Sequence, residues 1–421
     1  MRRVVKAADL GARQTWLWRN RFRFGRAVNS ERPRLLVDVS TILRYDAQTG
    51  IQRVVRAVWS ELKRRSDKDL EVLPIYATKT QGYCFAPFDF LDGNHASIGS
   101  EPVSVRPGDK FLGLDLSAHL LPNYRRQLKA WRAFGASIHI IVYDLLPLQR
   151  PEWFSTATAA NYRRWFEVLS KDADQAICIS DQVANDLRSS LASLPTIRQL
   201  SVGRLHMGSD IDASVPSRGL CNGVRNLLEQ IRFRPAILMV GTVEPRKGYD
   251  AAIAAFEQIW DTRPAEAPDL VIIGKAGWKT AQFQEYLRSH PERGKRLHWL
   301  DSVTDEGLCL FYEACRGVFM ASRGEGFGLP LIEAAKHRRF VLARDLPVFH
   351  EQCVPGALYF SDERPAALGQ KLLELTQAGL RGPAPVASLP TWSASVECLV
   401  KEVGLQAQQE RDGELVLRKA S

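Results

Sequence analysis

The segment Ser322-Arg-Gly-Glu-Gly-Phe-Gly-Leu-Pro-Leu-Ile-Glu333 gathers residue types that can do chemistry together. Gly324, Gly326 and Gly328 allow tight turns and close approach of backbone to a ligand. Pro330 suits a first helical turn, where its missing N–H costs nothing. An apolar run precedes the segment and a helical pattern follows it, so its free amides meet at a helix N-terminus, a ready site for an anion. Glu325 falls in the loop and Glu333 in the opening of the helix, where a carboxylate can accept hydrogen bonds from hydroxyls such as those of a ribose. An ordinary glycine-rich turn with two surface glutamates would show part of this pattern.

A second segment, Val240-Gly-Thr-Val-Glu-Pro-Arg-Lys-Gly248, places basic residues just after an apolar run and beside a glycine. Arg246 can grip oxygens bidentately and Lys247 acts as a point charge, so the pair can neutralise a diphosphate. Two common nucleotide fingerprints are missing: Leu329 breaks a G-x-G-x-x-G reading, and no G-x-x-x-x-G-K-[ST] occurs.

The full pattern from Ser322 to Glu333 resembles the E-x7-E signature of family-4 glycosyltransferases of the two-domain GT-B type. Val240–Gly248 is similar to the family's V-G-R followed by K-G, with Thr242 where the first Arg is usual and Arg246 as a substitute charge. The resemblance spans about residues 34–405, strongest in the second half. It implies a retaining, metal-independent hexosyltransferase with no cofactor beyond its nucleotide diphosphate sugar. It also implies donor contacts from Gly50, Thr242, Arg246, Lys247, Glu325, Gly326, Phe327, Gly328, Leu329 and Glu333. Glu325 is expected at the transferred sugar and Glu333 at the ribose. Arg246, Lys247, Glu325 and Asp144 are the catalytic candidates.

Asp144 ends Ile141-Val-Tyr-Asp144, similar to the family's V-H-D with Tyr143 in place of His; a turn or capping aspartate is the simpler reading. Ser180 fits an N-cap or an acceptor contact, and Arg53 and Arg56 fit an exposed helix face. The Glu-Pro-Arg-Lys and Asp-Leu-Leu-Pro segments resemble bacterial mannosyl- and rhamnosyltransferases of surface polysaccharides. That favours mannose or rhamnose as the sugar, GDP-mannose as donor, and a glycan or lipid-linked acceptor. A non-catalytic sugar-nucleotide-binding subunit on the same fold is the alternative.

Elements able to position these residues follow from periodicity. Leu35–Val39, Lys110–Leu114, Ser137–Tyr143 and Gln175–Ile179 read as strands, with helices at Gln52–Arg65, Asn161–Leu169 and Asp181–Leu191. Ser209–Phe233 breaks the rhythm. It restarts with strands at Ala236–Val240, Leu270–Ile273, Leu297–Leu300, Gly317–Ala321 and Phe340–Ala343, each followed or preceded by a helical stretch. Strands alternating with helices imply parallel sheets, and ligands at their carboxyl ends. The expected architecture is α/β: two doubly wound Rossmann-like domains facing a cleft. The first covers 33–212 on the acceptor side, 213–234 links them, and 235–388 binds the nucleotide sugar. A helix in 389–405 crosses back to the first domain, and 406–421 forms a polar tail.

The 421 residues carry a net charge of +10. Residues 1–32 hold nine basic side chains against two acids, a net of +7, which leaves +3 for the rest. Trp16, Trp18, Phe22 and Phe24 are interleaved with those cations, a composition suited to an anionic membrane surface. The near-neutral remainder argues against nucleic acid as a partner. No apolar run reaches a membrane-spanning length, and the seven scattered cysteines suit a reduced compartment. The chain is therefore expected in the cytoplasm, with 1–32 either a peripheral contact to the inner membrane face or a solvated or partner-packed extension.

Overall fold

The structure, a computed structural model, describes residues 32–46, 49–66, 70–92, 101–194, 199–211, 216–377 and 389–405. The basic extension and the polar tail thus lie outside the described residues, apart from Arg32.

Two sheets form the frame. The first contains β1 (Arg34–Asp38), β2 (Glu71–Tyr76), β3 (Cys84–Phe85), β4 (Lys110–Gly113), β5 (Ser137–Val142), β6 (Gln175–Cys178) and β7 (Ser201–Arg204), in the order β3-β2-β1-β4-β5-β6-β7. Every pairing is parallel except β2 with β3. The second contains β8 (Ala236–Val240), β9 (Asp269–Ile273), β10 (Leu297–Leu300), β11 (Gly317–Met320), β12 (Phe340–Arg344) and β13 (Leu358–Phe360), in the order β10-β9-β8-β11-β12-β13 and wholly parallel.

Short, near-continuous apolar strands explain the parallel arrangement. Leu35, Leu36 and Val37 in β1, and Leu270, Val271 and Ile272 in β9, are all buried because helices cover both faces of each sheet. The strand order reverses between β1 and β4 in the first sheet and between β8 and β11 in the second. A reversal opens a crevice at the carboxyl ends of the flanking strands. In the second sheet those ends carry the two motif loops, Gly241–Gly248 after β8 and Ala321–Gly328 after β11.

The segment 213–234, read as an unperiodic junction, holds the helix Asn222–Gln230 in its described part. Val224, Leu227 and Ile231 supply its buried stripe, packed toward the helix Asp305–Ala314. The last helix, Trp392–Glu402, returns to the first sheet's side of the molecule and packs on the helix Gly50–Arg65. Asp210 accepts from the Trp392 N–H at 2.8 Å, Arg65 donates to the Ser393 carbonyl at 3.0 Å, and Gln175 donates to Glu402 at 2.9 Å. Among the described residues no helix is long and apolar enough to cross a membrane.

Candidate active site

A cleft between the two sheets encloses about 460 Å³. It is lined from the first half by Gly50, Arg53, Tyr143 and Asp144, and from the second by both motif loops, Trp278, and the turn Asp301–Val303. Of the residues singled out from sequence, Gly50, Asp144, Thr242, Arg246, Lys247, Glu325, Gly326, Phe327, Gly328 and Leu329 all line this cleft. Glu333 does not.

The loop after β11 is built for close approach. A Cβ on Gly326 would lie 1.9 Å from the Tyr143 carbonyl oxygen, so only glycine lets this loop touch the end of β5 across the cleft. Ser180 caps its own helix by accepting from the Val183 N–H at 3.1 Å and donates to the Gly326 carbonyl at 2.7 Å, a second tie between the halves. Gly328 takes a left-handed φ of 93° and opens the helix Leu329–Lys336. A side chain there would be both strained and 2.6 Å from the Phe349 ring.

Glu325 is the electrostatic centre. Its Oε2 accepts from Arg246 Nη1 at 2.7 Å, and its Oε1 accepts from Lys247 Nζ at 2.5 Å and from Ser322 Oγ at 2.7 Å. Burial alone would raise this carboxyl, but Arg246 and Lys247 together outweigh it and hold the group down at about 2. Arg246 is pinned on its other side, where Nε meets Glu244 Oε1 at 2.8 Å. Glu244 Oε2 is buried with no hydrogen-bond partner. Burial raises the Glu244 carboxyl despite the two cations, and does the same to Asp144, whose Oδ1 accepts from the Leu146 N–H at 3.1 Å. Two cations and three carboxylates thus share one partly closed cleft. Each cation of the cleft already meets at least one protein carboxylate.

Glu333 sits behind the cleft wall, buried, with both oxygens engaged. Arg53 Nη1 donates to Oε1 at 2.5 Å and the Tyr312 hydroxyl to Oε2 at 2.7 Å. Arg53 also faces Asp305 at 3.5 Å, while its Nε is buried without a partner. Arg53 belongs to the helix Gly50–Arg65 of the first half, so this ion pair bridges the halves. Arg53 and Arg56 are not an exposed face: Arg53 is partly buried, and Arg56 is buried and pairs with Asp46 at 2.6 Å.

Sequence reading passed over Arg53 as a cleft residue, and with it Glu244, Asp305 and Trp278. Some signals were present. Glu244 directly precedes Pro245-Arg-Lys247, Asp305 follows a Thr304 cap at a helix start, and Gly277-Trp278 follows a strand end as the motif loops do.

The model of a family described as glycosyl transferases group 1 matches residues 234–378. The serotype-specific mannosyltransferase WbdA of Escherichia coli is 38% identical over 383 residues, covering 89% of this chain and 47% of that protein. O-antigen chain mannosyltransferase B of Escherichia coli is 34% identical over 108 residues, 25% of this chain and 27% of that one. The chain therefore spans about half the length of the serotype-specific mannosyltransferase relatives it matches. Among solved structures, sucrose-phosphate synthase from Thermosynechococcus elongatus superposes with a TM-score of 0.56 at 17% identity, over 93% of this chain and all of that one. HepE of Anabaena in complex with UDP-glucose gives a TM-score of 0.57 at 14% identity, over 91% and 99%. At such identities these two structures speak for the fold alone, the two-sheet GT-B arrangement. The match at 234–378 contains both motif loops and the whole second sheet, so it is this part of the chain that is similar to the glycosyl transferases group 1 family.

Proposed function

We propose that this chain is a retaining mannosyltransferase that draws on a nucleotide diphosphate sugar, GDP-mannose by preference, to extend a surface glycan. One observation carries the reading: Glu325 gathers Arg246 and Lys247 in a cleft between two parallel sheets, at the crevice where the second sheet's strand order reverses. The mannosyltransferase relatives, matched over most of this chain, support the choice of sugar.

In this reading the bond from the anomeric carbon to the donor phosphate breaks, and a new bond forms from that carbon to an acceptor hydroxyl oxygen. The hydroxyl proton leaves with the departing phosphate. Negative charge grows on that phosphate as the bond breaks, so cations aimed at it stabilise the transition state more than the ground state. Arg246 and Lys247 take that role, with backbone amides of the turn at Gly326–Gly328 beside them. Glu325, once it yields its cations to the diphosphate, is free to accept from hydroxyls of the transferred sugar. Asp144, at the end of β5, faces the same loop from the first half. Glu333 receives the ribose only when Arg53 lets go, which links donor entry to the bridge between the halves. The acceptor is a glycan or lipid-linked glycan, and the extension 1–32 is proposed to hold the chain at the inner membrane face, as its basic and aromatic composition suggests.

Lys247→Ala is expected to lower turnover by ~10²-fold or more, as loss of one transition-state donor does. Glu333→Ala is expected to weaken donor binding instead. Steady-state kinetics with GDP-mannose and a mannosyl acceptor test both; unchanged constants in both variants contradict the reading.

A further inference from the structure

The cleft is bordered by an aromatic shelf built from both halves. Trp278 follows β9 and lines the cleft, yet remains 41% exposed. A single exposed aromatic is ordinary on a protein surface, but aromatic side chains that line a cleft are the usual apolar contacts of its ligand. The ring is also held in place. Its Nε1 donates to the Trp153 carbonyl at 2.8 Å, across the two halves, and its ring stacks on Phe154 with centroids 5.9 Å apart and planes at 28°. The next residue, Lys279, adopts a left-handed φ of 57°, a strained conformation for a side chain of its size. That conformation lets Nζ reach the carbonyls of Glu152, at 2.5 Å, and Phe154, at 3.3 Å.

The shelf adjoins the reacting end of the cleft. Trp153 packs on Gly324, where a Cβ would lie 2.9 Å from its ring. Gly324 immediately precedes Glu325, and its carbonyl accepts from Arg246 Nη1 at 3.0 Å. A molecule lying on Trp278 would therefore extend from solvent toward the Glu325 loop. A growing glycan must occupy such a path, whereas the donor belongs in the enclosed part.

We propose that the exposed face of Trp278 is the platform for the terminal pyranose of a saccharide acceptor. One face of a hexopyranose ring presents a patch of C–H bonds. That patch is apolar and slightly positive, and so complements the negative face of an indole. The ring hydroxyls are left at the rim, directed outward and toward the cleft. The proposal rests on the transferase reading and specifies its acceptor side.

The test compares the full chain with Trp278→Ala and Trp278→Phe. The readouts are KM for an α-linked mannose oligosaccharide, KM for GDP-mannose, and affinity for GDP alone. The platform predicts that Trp278→Ala raises the acceptor KM about tenfold, that Trp278→Phe recovers most of the loss, and that GDP affinity is unchanged. An unmoved acceptor KM overturns the platform while leaving the transferase reading intact. Equal shifts in donor and acceptor constants also overturn it, since they would mark Trp278 as a base-stacking residue or a strut between the halves. A wild-type chain that neither binds GDP nor transfers mannose removes the underlying reading, and the platform with it.

Discussion

Glu325 accepts three hydrogen bonds, two of them from cations, in a cleft where burial opposes any charge. Its low pKa is therefore a stability statement with a definite sign. The folded carboxyl titrates at about 2 against an ordinary 4.5, so its contribution is fully present above 4.5 and is lost as pH falls toward 2. Asp144 and Glu244 are shifted upward, so their contributions run the other way and weaken as pH rises. Comparing the wild type with Glu325→Gln isolates one group from the others. The gap between their unfolding midpoints should be largest near neutrality and should shrink from about pH 5 to about pH 3. A gap independent of pH contradicts the assignment. At this scale much of the site was legible. Glu325, Arg246 and Lys247 lie in two short segments whose spacing alone brings glycine, cation and carboxylate to strand ends. Glu333 was legible as a residue but not in its setting, because its partner Arg53 stands 280 positions away. No local pattern encodes that pairing.

The elements that carry these residues are tied by side chains from both halves. Arg53, on the helix Gly50–Arg65, neutralises a glutamate buried on the helix Leu329–Lys336. Removing one partner of such a pair leaves an uncompensated buried charge. Arg53→Met should cost ~3 kcal/mol, and adding Glu333→Gln should recover much of it. Urea titrations of the single and double variants check this; additive losses would show that the pair is not coupled. The returning helix Trp392–Glu402 is a second tie. Trp392 is buried, and a Cβ on Gly208 would meet its indole at 2.6 Å. Trp392→Ala is expected to cost ~3–5 kcal/mol in the same titrations, and a loss below 1 kcal/mol would show that this helix is only loosely docked.

Strands with unbroken apolar runs were readable, since both faces are covered. β2 was not, because Pro74 interrupts it, and a proline argues against a strand embedded in a sheet. β7 reads Ser-Val-Gly-Arg at an edge and buries little. The helix Arg125–Ala133 hides Leu128 and Trp131 among basic residues, so its buried stripe is masked by charge. The helix Asn222–Gln230 has only Val224 and Leu227 buried, and was passed over for the same lack of contrast.

At the scale of the whole molecule, the second sheet places its reversal point at the cleft, the first sheet faces it with the residues after β5 and β6, and the last helix crosses back to the helix Gly50–Arg65. Such an arrangement can close over a donor and keep water from it. It also explains why the donor half was easier to read than the acceptor half. Diphosphate and ribose impose the same demands on every donor, and those demands sit in contiguous loops. The proposed acceptor surface is assembled from both halves, with Trp153, Phe154 and Trp278 in mutual contact, a proximity no local spacing reveals. The central claim is that Arg246, Lys247 and Glu325 serve transfer from a nucleotide diphosphate sugar without a metal ion. The most direct measurement follows mannose from GDP-mannose to an α-mannosyl acceptor by NMR, with the purified full chain in EDTA. The account predicts a new α-linkage, formed at a rate EDTA does not change and reduced ~10²-fold or more in Lys247→Ala. A β-linked product, dependence on added metal, or a Lys247→Ala rate equal to wild type would contradict it.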